Sequence, residues 1–394
     1  MATSPDIHVL LAGGGSGGHV FPALAVGEEL TSRGCTVSFA GSPVGMEARL
    51  VPARGVPFHP LRSRPVVGRG LGGKLLALAT LGLSALAGAR LVRRLGARAV
   101  LGTGGYASGP AVLGARLARR PVLLLEPNAR AGVANRQLSR FAAGAAIAFP
   151  GAGGDLACPT RATGVPVRKS FFEVAPALPA TGLRLLVLGG SQGAQSLNRA
   201  LPRLLGGADG LLARLPEVTV LHQTGAAHLD AARAEYREAG VAVEAAGGRG
   251  RVRLAPFIDD VAGAMAESHL VVSRAGAITV AEIAAAGRPS VLVPITLAGG
   301  HQEDNARALE VAGASRAVFE PAPGSTPEER ARALATVLGD TLGLLLGDRQ
   351  ELERMAAAAH ALGKPGAAGA IADWLLELTG AAGSAAQPTP GGAA

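Results

Sequence analysis

Aromatic residues are scarce: Phe, Tyr and Trp make up 3% of the 394 residues, and Trp374 is the only tryptophan. Ala, Leu and Val must therefore build the core, and a nucleic-acid surface that stacks bases on aromatic rings is disfavoured. Cysteine is as rare. Cys35 and Cys158 are too few, and too apolar in context, for a disulfide framework or a metal site, and they fit a reducing cytoplasm. The run MATSPDIHVLLAGGG lacks a charged start and a cleavage site, so no signal peptide is expected.

Acidic residues are missing from one long stretch. None occurs between Glu47 and Glu126, while 13 basic residues do. Residues 1–165 carry 18 Lys and Arg against 6 Asp and Glu, and the remainder carries 20 against 23, so the net +9 belongs to the first half. Within the basic stretch, the run from Leu75 to Ala89 (LLALATLGLSALAGA) is uncharged. Arg62, Arg64, Arg69 and Lys74 precede it, and Arg90, Arg93 and Arg94 follow. Fifteen helical residues span about 22 Å, short of the ~30 Å hydrocarbon thickness, so no membrane crossing is expected. A buried core helix is one reading. An apolar surface element with a basic collar, docking on anionic lipid, is the better one.

Glycine, by contrast, is abundant. Two glycine-rich turns, Gly13-Gly14-Gly15-Ser16-Gly17-Gly18-His19 and Gly189-Gly190-Ser191-Gln192-Gly193-Ala194, each follow a short apolar run and each open a helix. Glycine lets the backbone turn sharply and approach a ligand, and the helix start offers unpaired N–H groups at its positive dipole end. One such loop suggests a cofactor binder. Two, worded differently and one domain length apart, suggest two ligands brought together for group transfer.

Apolar runs at 7–12, 36–40, 99–102, 122–125 and 145–148, and again at 183–188, 218–223, 252–255, 270–273 and 290–293, predict buried parallel strands. Helices are expected over 19–33, 71–95, 109–118 and 131–140, and from near Ala194, His228, Val261, Ala277, Glu303 and Thr326. The alternation predicts an α/β chain of two doubly wound parallel-sheet domains. Pro166, Pro176 and Pro179 place the boundary in 163–179. The expected domains are 1–165 and 166–365, followed by a helix in 366–379 that crosses back to the first domain. The tail 380–394 has no core-forming residues and is expected to be disordered.

Two phosphate chemistries fail on their own tests. Gly13, Gly15 and Gly18 fit GxGxxG, but the second strand ends Ser38-Phe39-Ala40-Gly41 without the acidic residue that a dinucleotide ribose requires. A P-loop needs Lys-Ser/Thr after its last glycine, and His19-Val20 stand there. His19, in a first helical turn beside an anion-sized nest, suits a neutral general base or simply lines the turn. The third glycine segment, GTGGYASGP, brings Gly104, Gly105 and Tyr106 to another strand end, with Glu126 and Asn128 expected at the same mouth. In the second half, Gly276 and Ala277 offer amides to a diphosphate, and Glu282, His301, Gln302 and Asn305 offer partners for sugar hydroxyls. No DxD-like metal site is apparent. Asp259-Asp260 reads better as a helix start, so no bound metal and no cofactor are expected.

Taken in order, GGGSGGHVFPALAVGEEL, GTGGYASGP, LEPNARAG, GVPVR, LGGSQGAQSLN, the segment Phe257-Ile258-Asp259-Asp260, SRAGAITVAEIAAAG and HQEDNA resemble the MurG family. The resemblance spans nearly the whole chain except its tail. It departs from the commonest family wording at Leu125, Pro127 and Val165, while His19, Asn128 and Arg168 are intact. It implies a GT-B fold of two Rossmann-like domains with a cleft between them. It further implies inverting transfer of GlcNAc from UDP-GlcNAc to the MurNAc C4 hydroxyl of undecaprenyl-diphosphate-linked MurNAc-pentapeptide (lipid I), at the cytoplasmic face of the inner membrane.

Carried over by position, Ser16, Gly17, Gly18, Asn128, Arg168, Ser191, Ile258, Gln302 and the run Ala277, Ile278, Thr279, Val280, Ala281 and Glu282 match donor-binding residues. His19 becomes the base or the residue that positions the acceptor. Gly14, Gly15, Gly104, Gly105, Tyr106 and Glu126 become acceptor and diphosphate loops. The residues alone leave three rivals: another lipid glycosyltransferase, a UDP-sugar 2-epimerase and a membrane-associated nucleotide-sugar binder.

Overall fold

Strand β1 (His8–Ala12) is apolar after its first residue and enclosed on both faces from Val9 onward, as a central parallel strand must be. Around it run β2 (Thr36–Gly41), β3 (Phe58–Pro60), β4 (Ala99–Gly102), β5 (Val122–Glu126), β6 (Gly144–Ile147) and β7 (Thr160–Ala162), all parallel, in the order β3-β2-β1-β4-β5-β6-β7. A second all-parallel sheet holds β8 (Leu183–Leu188), β9 (Val218–Gln223), β10 (Val252–Ala255), β11 (Leu270–Ser273), β12 (Ser290–Leu292) and β13 (Ser315–Ala317), in the order β10-β9-β8-β11-β12-β13. The computed structural model describes residues 7–63, 71–190, 193–244, 250–295, 300–321 and 326–380, with 71–78 as backbone alone. The chain forms two compact units. One runs to Val167 and resumes at Lys364; the other is Arg168–Gly363.

Each sheet is covered on both faces because its central strands are apolar on both. In the first unit Val9 and Leu11 share a core with Leu24 and Leu30 of the helix Gly17–Ser32 and with Trp374 and Leu375 of the helix Ala367–Leu378. The alternate residues Leu10 and Ala12 pack with Leu91, Val92 and Val112 of the helices Leu71–Arg94 and Gly109–Leu117. The Trp374 ring lies so close to Gly144 that a Cβ there would stand 2.3 Å from its Cζ2. Arg161 also stacks on that ring, 4.3 Å from its centroid, and pairs with Glu377 at 2.8 Å.

The helix Leu71–Arg94 divides its two faces between different surroundings. Gly88 lets it approach the helix Gly109–Leu117, where a Cβ would come within 2.3 Å of the Pro110 carbonyl oxygen. Its outer face exposes Leu83 and Leu86, at 72% and 51%, beside exposed Arg90, Arg93 and Arg94. The segment is thus a core helix on one side and an apolar surface on the other. Among the described residues no helix is long and apolar enough to cross a membrane.

In the second unit Leu185, Val187, Val272 and Val291 pack against Leu197 and Leu201 of the helix Gln195–Leu205 and Leu334 and Leu338 of the helix Pro327–Leu346. The latter begins with a capping box between Thr326 and Glu329.

Every apolar run expected to be a strand is one, with ends within one residue. Strands β3, β7 and β13 were not expected. Each is three residues long and sits at a sheet edge, where half-exposed backbone pairs without an apolar run to mark it. The helix Arg349–Leu362 was likewise unplaced, and helix 131–140 is shorter, Val133–Leu138 followed by a 3-10 turn at Ser139–Phe141.

Candidate active site

In a doubly wound sheet, ligands gather where the strand order reverses, beyond the carboxyl ends of the two strands involved. In the first sheet these are β1 and β4, with Ala12 opposite Gly102; in the second they are β8 and β11, with Leu188 opposite Ser273. The loops after these four strands therefore occupy the two switch points.

At the first switch point the loops 13–16 and 103–106 lie against each other. A Cβ on Gly105 would stand 2.3 Å from the Gly14 carbonyl oxygen, and one on Gly15 would stand 3.2 Å from the Tyr106 ring. Gly14, Gly15, Gly104 and Gly105 all have positive φ, which favours glycine. His19, in the first turn of the helix Gly17–Ser32, lies over the Gly104–Gly105 backbone. Its Nδ1 is 2.7 Å from the Thr103 carbonyl oxygen, and the Thr103 hydroxyl donates to the His19 carbonyl at 2.6 Å. A carbonyl only accepts, so Nδ1 carries a proton, and in the neutral ring the lone pair is then on Nε2. That tautomer can receive a proton from a substrate hydroxyl.

Glu126 is turned inward. It is 1% exposed, and its carboxylate accepts from the Asn128 N–H at 3.0 Å, the Asn128 side-chain amide at 2.9 Å, the Gly132 N–H at 2.8 Å and the Asn135 amide at 2.9 Å. Sequence reasoning expected it at the ligand mouth. Four internal donors instead make it the anchor of the loop that carries Asn128.

At the second switch point, Gly193 approaches β9 so closely that a Cβ would stand 2.0 Å from the Thr224 carbonyl oxygen, and the Gln223 amide donates to the Gly190 carbonyl at 2.8 Å. Ser191 and Gln192 lie outside the described residues. After β11, Gly276 caps the helix Ala277–Ala285, whose first N–H groups have no partner within the helix. Val280 of this helix faces the core at 1% exposed. Glu282 lies on it with its side chain 17% exposed, and Arg168 stands 3.9 Å away. Burial raises the Glu282 carboxyl from 4.5 to about 7, against the opposing pull of Arg168. Arg168 also stacks on Phe171, 5.0 Å from its centroid. Gln302, in the first turn of the helix His301–Val311, accepts from the Ile295 N–H at 3.1 Å, and the Asn305 amide donates to the Ala275 carbonyl at 3.0 Å. The Gln302 helix is thereby tied to the Gly276 loop.

Ile258 precedes the helix Val261–Ala266, whose N-cap is Asp260, accepting from the Gly263 N–H at 2.9 Å. Among the described residues no three His, Cys, Asp or Glu side chains gather as a possible metal site.

Of the expected donor residues, Ser16, Gly17, Gly18 and Asn128 lie in the first unit; Arg168, Ile258, Ala277 to Glu282 and Gln302 lie in the second. Glu47, Thr103, Asn135, Arg274 and Glu320 were not singled out. Arg274 donates to Glu320 at 2.5 Å, to the Val293 carbonyl at 3.0 Å and to the Ser196 hydroxyl at 2.6 Å, binding the second switch point together from behind. Only the position of Thr103 and Arg274 inside glycine-rich segments signalled them. A separate cavity of about 720 Å³, lined by Arg203, Glu235, Arg332 and Asp340 among others, shares no residue with either switch point.

Residues 9–147 match the profile of the glycosyltransferase family 28 N-terminal domain, and residues 184–329 that of the glycosyltransferase family 28 C-terminal domain. Over 381 residues the chain is 43% identical to the UDP-N-acetylglucosamine--N-acetylmuramyl-(pentapeptide) pyrophosphoryl-undecaprenol N-acetylglucosamine transferase of Alkalilimnicola ehrlichii, covering 94% of this chain and 98% of that protein. The transferase of the same name from Sorangium cellulosum is 42% identical over 380 residues, 94% of this chain and 88% of its own. The crystal structure of MurG from Acinetobacter baumannii superposes with a TM-score of 0.71 at 34% identity, covering 94% of this chain and 99% of that one.

Proposed function

The chain belongs to the MurG family, within glycosyltransferase family 28, and we propose that it transfers GlcNAc from UDP-GlcNAc to the MurNAc C4 hydroxyl of lipid I, giving lipid II for peptidoglycan. The reaction inverts the sugar. The acceptor oxygen forms a bond to GlcNAc C1 from the face opposite UDP, the bond from C1 to the UDP oxygen breaks, and UDP leaves with the electron pair. The hydroxyl proton goes to His19 Nε2. The observation that supports this assignment is the Nδ1 contact to the Thr103 carbonyl, which leaves Nε2 as the basic nitrogen of the neutral tautomer.

The second unit carries the donor in this reading. Negative charge grows on UDP as it leaves, and the helix starts at Gln195 and Ala277 offer oriented N–H groups that need no reorganisation. Ser191 and its loop hold the diphosphate, Ile258 reads the uracil through its backbone, and Glu282 and Gln302 take GlcNAc hydroxyls. Arg168, Ser16, Gly17, Gly18 and Asn128 complete the donor set. Gly14, Gly104, Gly105 and Tyr106 serve the acceptor side. The outer face of the helix Leu71–Arg94, with Leu83, Leu86 and three arginines, docks on the anionic cytoplasmic leaflet, where the lipid acceptor resides.

Radiolabelled UDP-GlcNAc incubated with purified lipid I tests the activity. Label in the lipid product is expected; epimerised free sugar, or no conversion, refutes it. Replacing His19 by Ala is expected to lower turnover about 10²- to 10⁴-fold while UDP-GlcNAc affinity stays as it was. Full turnover in that variant removes the base assignment.

A further inference from the structure

Glu47 is a fully buried carboxylate that the mechanism above does not use. Among the described residues no basic side chain pairs with it. Two backbone donors hold it instead: the Ser42 N–H reaches Oε1 at 3.0 Å and the Gly15 N–H reaches Oε2 at 3.1 Å. Three glycines make the room. A Cβ on Gly14 or Gly45 would stand 2.1 or 2.2 Å from Oε1, and one on Gly41 would stand 2.7 Å from the Glu47 Cγ. A buried charge is tolerated only when it is well solvated by fixed donors, so this arrangement specifies a backbone geometry more than it adds stability.

That geometry leads to His19. Gly15, fixed by Glu47, follows Gly14, whose carbonyl lies against Gly105; Gly105 and Gly104 form the surface on which the His19 ring rests. Gly15 is also one residue from Ser16, the N-cap of the helix that carries His19. The N–H of Gly15 is therefore spent on a protein carboxylate rather than on a ligand anion. Gly17 and Gly18 stand in the first turn, where N–H groups have no partner within the helix. We propose that Glu47 is a positioning residue for the transfer: its carboxylate, through Gly15 and Ser42, sets the loop conformation that aims His19 at the acceptor hydroxyl. This rests on the reading of His19 as the base.

Glu47→Gln keeps the size but offers only one acceptor atom, and its NH₂ faces an N–H donor, so one of the two contacts is lost. A small displacement of a base costs about 10- to 100-fold in rate. The expected result is a fall of that size in kcat, with the KM for UDP-GlcNAc within about twofold of the parent. Because Glu47 acts through His19, the double variant with His19→Ala should be no slower than His19→Ala alone. Parental turnover in Glu47→Gln overturns the proposal, as does a double variant that loses the product of both effects. If His19→Ala retains turnover while Glu47→Gln does not, both the base assignment and the proposal fall. If His19→Ala alone is slow, only the proposal falls. Should Glu47→Gln not fold, as read by thermal melting, Gly45→Ala, outside the His19 loop, pushes on the same carboxylate. A folded Gly45→Ala variant with parental kcat is equally decisive against it.

Discussion

Replacing Glu282 by Gln should change both the pH profile of stability and that of donor binding. Burial raises its carboxyl from 4.5 to about 7. The folded protein therefore binds a proton that the unfolded chain has released over the window between those two values, and stability falls as pH rises through it. Above about pH 7 the charged, buried carboxylate costs about 3 kcal/mol relative to the unfolded chain; below about pH 4.5 both states are protonated and the cost vanishes. Glu282→Gln cannot ionise, so it should gain on the parent by up to about 3 kcal/mol between these limits. Donor hydroxyls that donate to the carboxylate favour its charged form, so UDP-GlcNAc should bind about tenfold more weakly at pH 6 than at pH 8. Glu282→Gln should bind weakly at both. Urea unfolding and calorimetric titration across this range read the two effects. Unfolding free energies of parent and variant that differ by a constant amount at every pH refute the reasoning.

Arg288 is fully buried, has no carboxylate partner among the described residues, and donates to the carbonyls of Met265 at 2.7 Å and Ala175 at 2.9 Å, with longer contacts to Pro176, Ala266 and Gly287. Arg288→Leu strands these acceptors, two of them at the negative end of the helix Val261–Ala266, and should destabilise the protein by at least about 3 kcal/mol in urea unfolding. On the surface, the pair Leu83→Ser and Leu86→Ser should weaken sedimentation with anionic vesicles by about tenfold while leaving the melting temperature unchanged, since both side chains are solvent-exposed. Vesicle binding equal to the parent's refutes the docking face.

How much of this was legible in the sequence depended on how locally each feature is encoded. β1 and β8 are apolar on both faces, so HVLLA and LRLLVL read as buried parallel strands without any knowledge of their neighbours. The glycines of both loops were equally plain, because positive φ at Gly14, Gly15, Gly104, Gly105, Gly190 and Gly193 leaves a mark at the residue itself. Edge strands such as β13, SRA, leave none. The run from Leu75 to Ala89 was readable as apolar with a basic collar, but its division into a packed and an exposed face depends on Gly88 meeting Pro110, which only the fold supplies.

The carboxylates behind the loops were the least legible part. Glu47 binds the N–H of Gly15, 32 residues away, and Glu320 accepts from Ser196, 124 residues away. Their partners are backbone amides and distant side chains, so no spacing rule finds them. Glu126 was noticed, but as an acid at a strand end it was expected to face a ligand. Three of its four donors come from the loop it supports, and the fourth, the Asn135 amide, from the helix that follows. Three loops at strand ends thus lean on an acidic residue: Glu47 under Gly15, Glu126 under Asn128, and Glu320 with Arg274 behind the helix start at Gln195. A glycine-rich loop has high conformational entropy and cannot hold oriented N–H groups unaided. A buried carboxylate removes that freedom by saturating some donors, and the donors left over are then fixed for substrate.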